Sequence, residues 1–265
     1  MSYSYTINPK HADNERLEAF LKALPDVFQT TGEVLYQGRN VVKRIEEDGM
    51  PVLVVKAFGI RNIFQKTAYS FFEHNKARKA YDNALILQRE GFLTPEPYAF
   101  AEEKSKGWIT GCYLVTAETR RQPLMAYFEK ADGELPGLIA ELAAFFANLH
   151  KKGILHHDLN STNILPEKTP DGWTFELIDN NRMDYVRGAV PALKECYENM
   201  TRFTGDMELF KTFAGAYVAC RDLPKEETGT LIATKRHHDN AYSRRKMITH
   251  PIRAYRNHKA TKKDK

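Results

Sequence analysis

An α+β fold in two parts, a small antiparallel sheet with one helix followed by a larger helical region, is predicted by three features of the 265-residue chain. Residues 31–57 read as a three-stranded meander, residues 138–151, 193–203 and 207–220 carry helical periodicity, and a short hairpin pattern lies between Asn163 and Asp179. The length is sufficient for one large domain or two lobes, each with its own core. The predicted boundaries are 1–116 for the sheet part, 117–234 for the helical part and 235–265 for a basic tail.

In the meander, Gly32-Glu33-Val34-Leu35-Tyr36 turns at Gln37-Gly38-Arg39-Asn40 into Val41-Val42-Lys43-Arg44-Ile45. Glu46-Glu47-Asp48-Gly49 then turns into Val52 to Phe58. A helix follows from about Asn75 to Glu90, with Ala77, Ala80, Ala84 and Leu87 on one side and Gly91 as its stop. Trp108 to Thr116 is a strand, and Ala117-Glu118-Thr119 leads into the second part. There an apolar helix from Leu138 to Lys151 ends at Gly153. Glu226-Glu227-Thr228-Gly229 is expected to break the helical pattern before the tail.

Between these helices stands His156-His157-Asp158-Leu159-Asn160-Ser161-Thr162-Asn163-Ile164-Leu165, which fits H-x-D-L-x-x-x-N. In a phosphotransferase loop of this form the Asp orients or accepts the proton of the acceptor hydroxyl. The Asn, five residues on, reaches back to a metal that bridges nucleotide phosphates. Asp158 and Asn163 have that spacing. The metal also needs a carboxylate, and Asp179 ends the run Thr174-Phe175-Glu176-Leu177-Ile178. A turn at Thr169-Pro170-Asp171-Gly172 would fold that run back and set Asp179 beside Asn163. Asn180-Asn181 replaces the Phe-Gly of protein kinases. Taken singly, each of these residues is an ordinary turn or cap residue; taken jointly, on the right sides of a hairpin, they predict chemistry. Consecutive strand residues point apart, so His156 and His157 are not expected to share a metal, and His156 is read as structural.

Val54-Val55-Lys56 stands where a strand lysine would hold nucleotide phosphates. Gly38 is alone in its turn, so the expected glycine-rich phosphate loop is sparse, with Gly38, Arg39 and Asn40 as its candidates. The backbone around Glu118 is the expected meeting place for adenine. A helix Glu that would pair with Lys56 is missing: Ala80 stands at its place, with Asp82 and Glu73 the nearest acids.

Composition narrows the context. Three cysteines without C-x-x-C spacing predict neither a zinc site nor a disulfide framework, and the N-terminus lacks a basic and apolar leader. A cytoplasmic protein is expected. The net charge of +5 is uneven: Lys235 to Lys265 holds 11 basic and 2 acidic residues, leaving −4 elsewhere. Such a tail could lie on anionic lipid, contact nucleic acid or simply be solvated; no nucleic-acid partner is expected, since nothing else in the sequence points to one.

With these residues in view, the chain resembles the bacterial lipopolysaccharide kinase family, whose members phosphorylate inner-core sugars such as 3-deoxy-D-manno-octulosonic acid (Kdo) or heptose. The resemblance is carried by Leu149-His150-Lys151-Lys152-Gly153-Ile154-Leu155 running into the loop above, by Leu177-Ile178-Asp179-Asn180-Asn181-Arg182, and by Gly91-Phe92-Leu93-Thr94-Pro95-Glu96-Pro97. It implies a two-lobed protein-kinase-like fold using ATP and Mg²⁺, with Asp158 catalytic, Asn163 and Asp179 on the metal, and Lys56, Gly38 and Glu118 on the nucleotide. The implied acceptor is a lipopolysaccharide core or lipid A precursor, met at the inner face of the inner membrane with the tail on anionic lipid. Aminoglycoside and choline phosphotransferases and RIO-type kinases share a comparable loop. A kinase for another small molecule or a protein, or a kinase-like scaffold without turnover, therefore stays open.

Overall fold

In the computed structural model the chain is described over residues 2–59, 75–106, 108–129 and 133–261, with side chains as far as Met247. It divides into two compact units. The first comprises Met1–Tyr127, His156–Asp158 and Thr162–Asp184, the second Phe128–Leu155, Leu159–Ser161 and Tyr185–Lys265.

The first unit is built on a six-stranded antiparallel sheet. Its strands are Ser2–Ile7 (β1), Glu33–Gln37 (β2), Val41–Ile45 (β3), Leu53–Ala57 (β4), Pro97–Ser105 (β5) and Trp108–Ala117 (β6), in the order β1-β5-β6-β4-β3-β2. Strand alternation sends successive side chains to opposite faces. Leu53 and Val55 of β4, Ala99 and Ala101 of β5, and Val115 of β6 line one face. Helix Glu15–Thr30 (α1) covers that face with Leu17, Phe20, Leu21 and Leu24, which recur at helical spacing. The side chain of Asn14 caps its start by accepting the Leu17 N–H at 3.0 Å.

On the opposite face, helix Lys76–Arg89 (α2) brings Ala77, Ala80 and Tyr81 against Phe58, Phe100, Ile109 and Cys112. The expected meander and this helix are present. The sheet carries a second helix as well, because residues 2–30 supply β1 and α1, which the sequence reading left unassigned. Tyr3 ties the two together by donating its hydroxyl to the Leu21 carbonyl at 2.7 Å.

Ile154–His156 (β7) leads into the loop. A two-stranded hairpin of Ile164–Thr169 (β8) and Gly172–Leu177 (β9) follows, paired from Ile164↔Leu177 to Thr169↔Gly172, and Met183–Tyr185 (β10) comes after it. The ladder continues one step further, the Ile178 N–H donating to the Asn163 carbonyl at 3.1 Å. Asp179 is thereby carried back alongside Asn163. The hairpin is anchored within its own unit by the Leu177 N–H on the Leu93 carbonyl, 2.9 Å.

In the second unit, helices Leu135–Lys151 (α3), Leu193–Asn199 (α4), Met207–Cys220 (α5) and Glu227–Thr261 (α6) enclose an aromatic core. The Phe203 and Phe213 rings lie 4.6 Å apart and Phe146 is 5.4 Å from Phe213. α4 ends four residues before the predicted Phe203, which packs into this core from beyond the helix. The break expected at Glu226 to Gly229 is instead a helix start. α6 begins at Glu227 and passes through Gly229, where nothing lies within 4 Å of a Cβ. As far as Thr261 the basic segment is the continuation of this helix. Leu231 and Lys235 anchor it, Lys235 being buried with both carboxylate oxygens of Asp239 at 2.7 Å, while Tyr242 to Met247 are exposed. Among the described residues no helix is long and apolar enough to cross a membrane.

Candidate active site

The expected site residues Lys56, Asp158, Asn163 and Asp179 all belong to the first unit. Lys56 projects from β4 on the face opposite Val55, its register partner on β6 being Leu114. Its ammonium donates to Asp179 Oδ1 at 2.6 Å and lies 5.1 Å from the centre of the Phe58 ring. No acid of α2 takes this place among the described residues: Ala80 is buried and Asp82 pairs with Arg78 on the helix surface. Glu73 lies outside the described residues. Lys56 is thus held directly by the carboxylate expected to bind metal.

Asp179 sits in the left-handed backbone region, φ 61° and ψ 46°. For a residue with a Cβ this costs about 1 kcal/mol or more, and Asp is among the types that tolerate it best. The turn is held from both ends. Asn180 is buried and donates its amide to Thr94 Oγ1 at 2.9 Å, while Thr94 donates to the Leu177 carbonyl at 2.8 Å. From α2, Asn83 donates to the Asn180 carbonyl at 2.7 Å.

His156 joins this turn to the loop. Its Nδ1 accepts the Asp158 N–H at 3.3 Å, so Nε2 carries the proton and donates to the Ile178 carbonyl at 3.2 Å, with Asn180 Oδ1 also at 3.2 Å. Complete burial pushes its pKa down despite these bonds, and the ring is neutral. The expected structural role is a specific one: His156 fixes the backbone that carries Asp158 against the backbone that carries Asp179.

Asn163 donates its amide to the Asp158 carbonyl at 2.9 Å, and its Oδ1, which accepts from Thr162 Oγ1 at 3.5 Å, keeps a further lone pair that could meet a metal. A carboxylate and an amide oxygen suit Mg²⁺, which takes few protein ligands beside water and phosphate oxygens. Among the described residues no group of three or more His, Cys, Asp or Glu side chains forms a protein-only metal cage. Asp158 is mostly buried, and its Oδ2 lies 3.5 Å from Nη1 of the half-exposed Arg182.

Two expected nucleotide contacts have other partners. The Glu118 carboxylate accepts from Arg44 Nε at 2.7 Å and its N–H donates to the Val52 carbonyl at 3.2 Å. The Gly38 N–H donates to the Asn40 carbonyl at 3.0 Å, closing its turn. Neither is hydrogen-bonded to the Lys56, Asp158, Asn163 and Asp179 group among the described residues. Sequence reasoning missed Arg182, Asn180, Thr94 and Asn83 as parts of the site, although the first three lie in the quoted family strings.

Positive charge gathers here. Burial lowers the pKa of Lys76 at the start of α2, and Arg39 and Arg182 push it further the same way, while Asp179 opposes them. Lys56 is thus paired with Asp179 and Arg182 approaches Asp158, with Lys76 within electrostatic reach of Asp179, a positive field that suits a polyanion.

The family of lipopolysaccharide kinases (Kdo/WaaP) matches residues 59–187, from just after Lys56 to just beyond Arg182. Over those residues the chain is similar to that family. A solved structure described as WaaP in complex with acyl carrier protein matches 91% of this kinase-like chain and 100% of its own, at 18% identity and a TM-score of 0.59, a likeness of fold. The Rio2 kinase–ADP/Mg²⁺–phosphoaspartate complex from Chaetomium thermophilum matches 86% of this chain and 77% of its own, at 17% identity and a TM-score of 0.45. No curated protein matches. The protein-kinase-like fold expected from the loop motif is shown, and the family match supports an ATP-dependent phosphotransferase.

Proposed function

We propose that this kinase-like chain transfers the γ-phosphoryl group of ATP to a hydroxyl of Kdo or heptose in the lipopolysaccharide inner core. The observation that carries the reading is the convergence of Asp158, Asn163, Asp179 and Lys56 through one hairpin and one strand, the first three inside the region that matches the family. Asp158 orients the acceptor hydroxyl and takes its proton. Asn163 Oδ1 and the Asp179 carboxylate would hold Mg²⁺, which supplies charge neutralisation across the phosphates. Lys56, exchanging Asp179 for phosphate oxygens, steadies the nucleotide, and Lys76 and Arg39 add to the positive field.

The acceptor is a glycolipid or its precursor at an anionic surface, and α6 suits that setting. Arg244, Arg245 and Lys246 are exposed beside exposed Tyr242 and Met247, a basic surface with apolar residues able to enter a headgroup layer. This reading puts the protein at the inner face of a bacterial inner membrane.

The test is γ-phosphate transfer from ATP with Mg²⁺ to lipid A carrying Kdo and to its heptosylated derivative, with Asp179→Ala beside the unaltered protein. Transfer to either acceptor, lost in the variant, supports the reading. ATP binding without transfer to either would move the weight to another acceptor or to a non-catalytic scaffold.

A further inference from the structure

Phosphoryl transfer places charge on three equatorial oxygens as the group passes between leaving and attacking oxygens, and a cation near those oxygens accelerates it. The segment Leu159-Asn160-Ser161-Thr162 between Asp158 and Asn163 holds no Lys or Arg. Lys56 is engaged with Asp179, on the metal side of the site. A cation does reach Asp158 from a different direction: Arg182, at the end of the 3-10 turn Asn180–Arg182.

Three features suit Arg182 to more than an ion pair. Its backbone is fixed, because Asn180 is tied to Thr94 and His156 while Asn83 holds the Asn180 carbonyl. Its side chain is 49% exposed against 15% for Asp158, so the guanidinium stands on the open side of the acid. Its 3.5 Å approach is longer than the roughly 2.7–2.9 Å of a committed charge-assisted bond, which leaves the planar fork able to take phosphoryl oxygens.

We propose that Arg182 is a catalytic cation that holds the phosphoryl group in flight at the acceptor end of the site. This rests on the kinase reading above. In the step, the acceptor oxygen forms a bond to the γ-phosphorus while the bond from that phosphorus to the β,γ-bridging oxygen breaks. ADP leaves with that electron pair, the hydroxyl proton passes to the Asp158 carboxylate, and Arg182 keeps hydrogen bonds to non-bridging oxygens throughout.

The test measures transfer, MgATP affinity and residual ATP hydrolysis for the unaltered protein, Arg182→Ala, Arg182→Lys, Asp158→Ala and the Asp158→Ala/Arg182→Ala pair. Arg182→Ala is expected to lower kcat by about a hundredfold or more with the KM for MgATP within threefold, and Arg182→Lys to recover part of the loss. Added guanidinium at tens of millimolar should restore activity to Arg182→Ala where equal sodium chloride does not. In the Asp158→Ala background, removing Arg182 should lower residual hydrolysis further. Equal hydrolysis rates with and without Arg182 in that background would confine Arg182 to holding Asp158 and overturn the proposal. So would an Arg182→Ala kcat within threefold of the unaltered protein. Absence of transfer by the unaltered protein to either lipid acceptor would instead remove the kinase reading, and the proposal with it.

Discussion

Replacing His156 by Phe tests whether one buried ring couples the two halves of the site. Phe fills a similar volume, so packing changes little, while three polar groups lose their partner: the Asp158 N–H, the Ile178 carbonyl and Asn180 Oδ1. The contacts to Asp158 and Ile178 are partly open to water, and each loss costs about 0.5–1 kcal/mol. Asn180 is buried, and stranding its acceptor costs about 1–3 kcal/mol. The sum is about 2–5 kcal/mol, a large fraction of the roughly 5–15 kcal/mol that holds a typical domain. Urea unfolding should show a lower midpoint at unchanged slope. Activity should fall by about a hundredfold, since a displacement of about 1 Å at Asp158 suffices for that. A stability loss below about 0.5 kcal/mol together with undiminished kcat would refute the coupling.

Three further outcomes are expected. Gly153→Ala should destabilise by about 2–3 kcal/mol in urea unfolding, because Gly153 has φ 79° and a Cβ there would run into the Val186 carbonyl and come within 2.6 Å of the Ala189 carbonyl oxygen. Stability should fall as pH drops from about 6.5 toward 4, since His150, buried between Tyr217 and Asn199, has its pKa pushed by burial down to about 4. The unfolded chain takes a proton below about 6.5 that the native ring refuses, costing on the order of 3 kcal/mol by pH 4, and His156 adds to the loss in the same direction. Melting temperature against pH should therefore be flatter in this window for His150→Gln. Reversing the exposed charges with Arg244→Glu, Arg245→Glu and Lys246→Glu should weaken sedimentation with anionic vesicles by about a hundredfold, at roughly 1 kcal/mol for each basic residue near the surface, without altering transfer to a detergent-soluble acceptor.

The parts of this site that could be read in the sequence are those set by short-range spacing. Asp158 to Asn163 is one loop, and Asp179 is reached through a hairpin whose turn at Pro170-Asp171 and apolar flanks fix the register. Lys56 was readable from Val54-Val55-Lys56, standing where a strand lysine would hold phosphates. Its partner was not, because the Lys56–Asp179 pair spans 123 positions and no local pattern distinguishes an acid that pairs with lysine from one that caps a turn. Gly38 and Glu118 were reached through their places in the element order, and the partners of their N–H and carboxylate groups, Asn40, Val52 and Arg44, had no local signal in the sequence.

β1 and α1 escaped notice because Tyr3, Tyr5 and Ile7 alternate among polar residues over one short edge strand, and α1 contains Pro25, a helix breaker by propensity. α6 was read as a tail because its fastenings to its own unit among the described residues are partly polar: Leu231, Lys235 over the Phe210 ring at 5.7 Å, and Glu227 accepting the Tyr197 hydroxyl at 2.8 Å. Periodicity of apolar residues cannot register such an anchor.

The central claim is that Asp158 acts on the acceptor while Lys56, Asn163 and Asp179 serve the nucleotide and its metal. The measurement that tests it most directly compares Asp158→Ala with the unaltered protein for MgATP affinity and for γ-phosphoryl transfer to lipid A carrying Kdo. The account predicts affinity within about threefold and transfer reduced by about a thousandfold or more. Transfer at the unaltered rate in Asp158→Ala would contradict it.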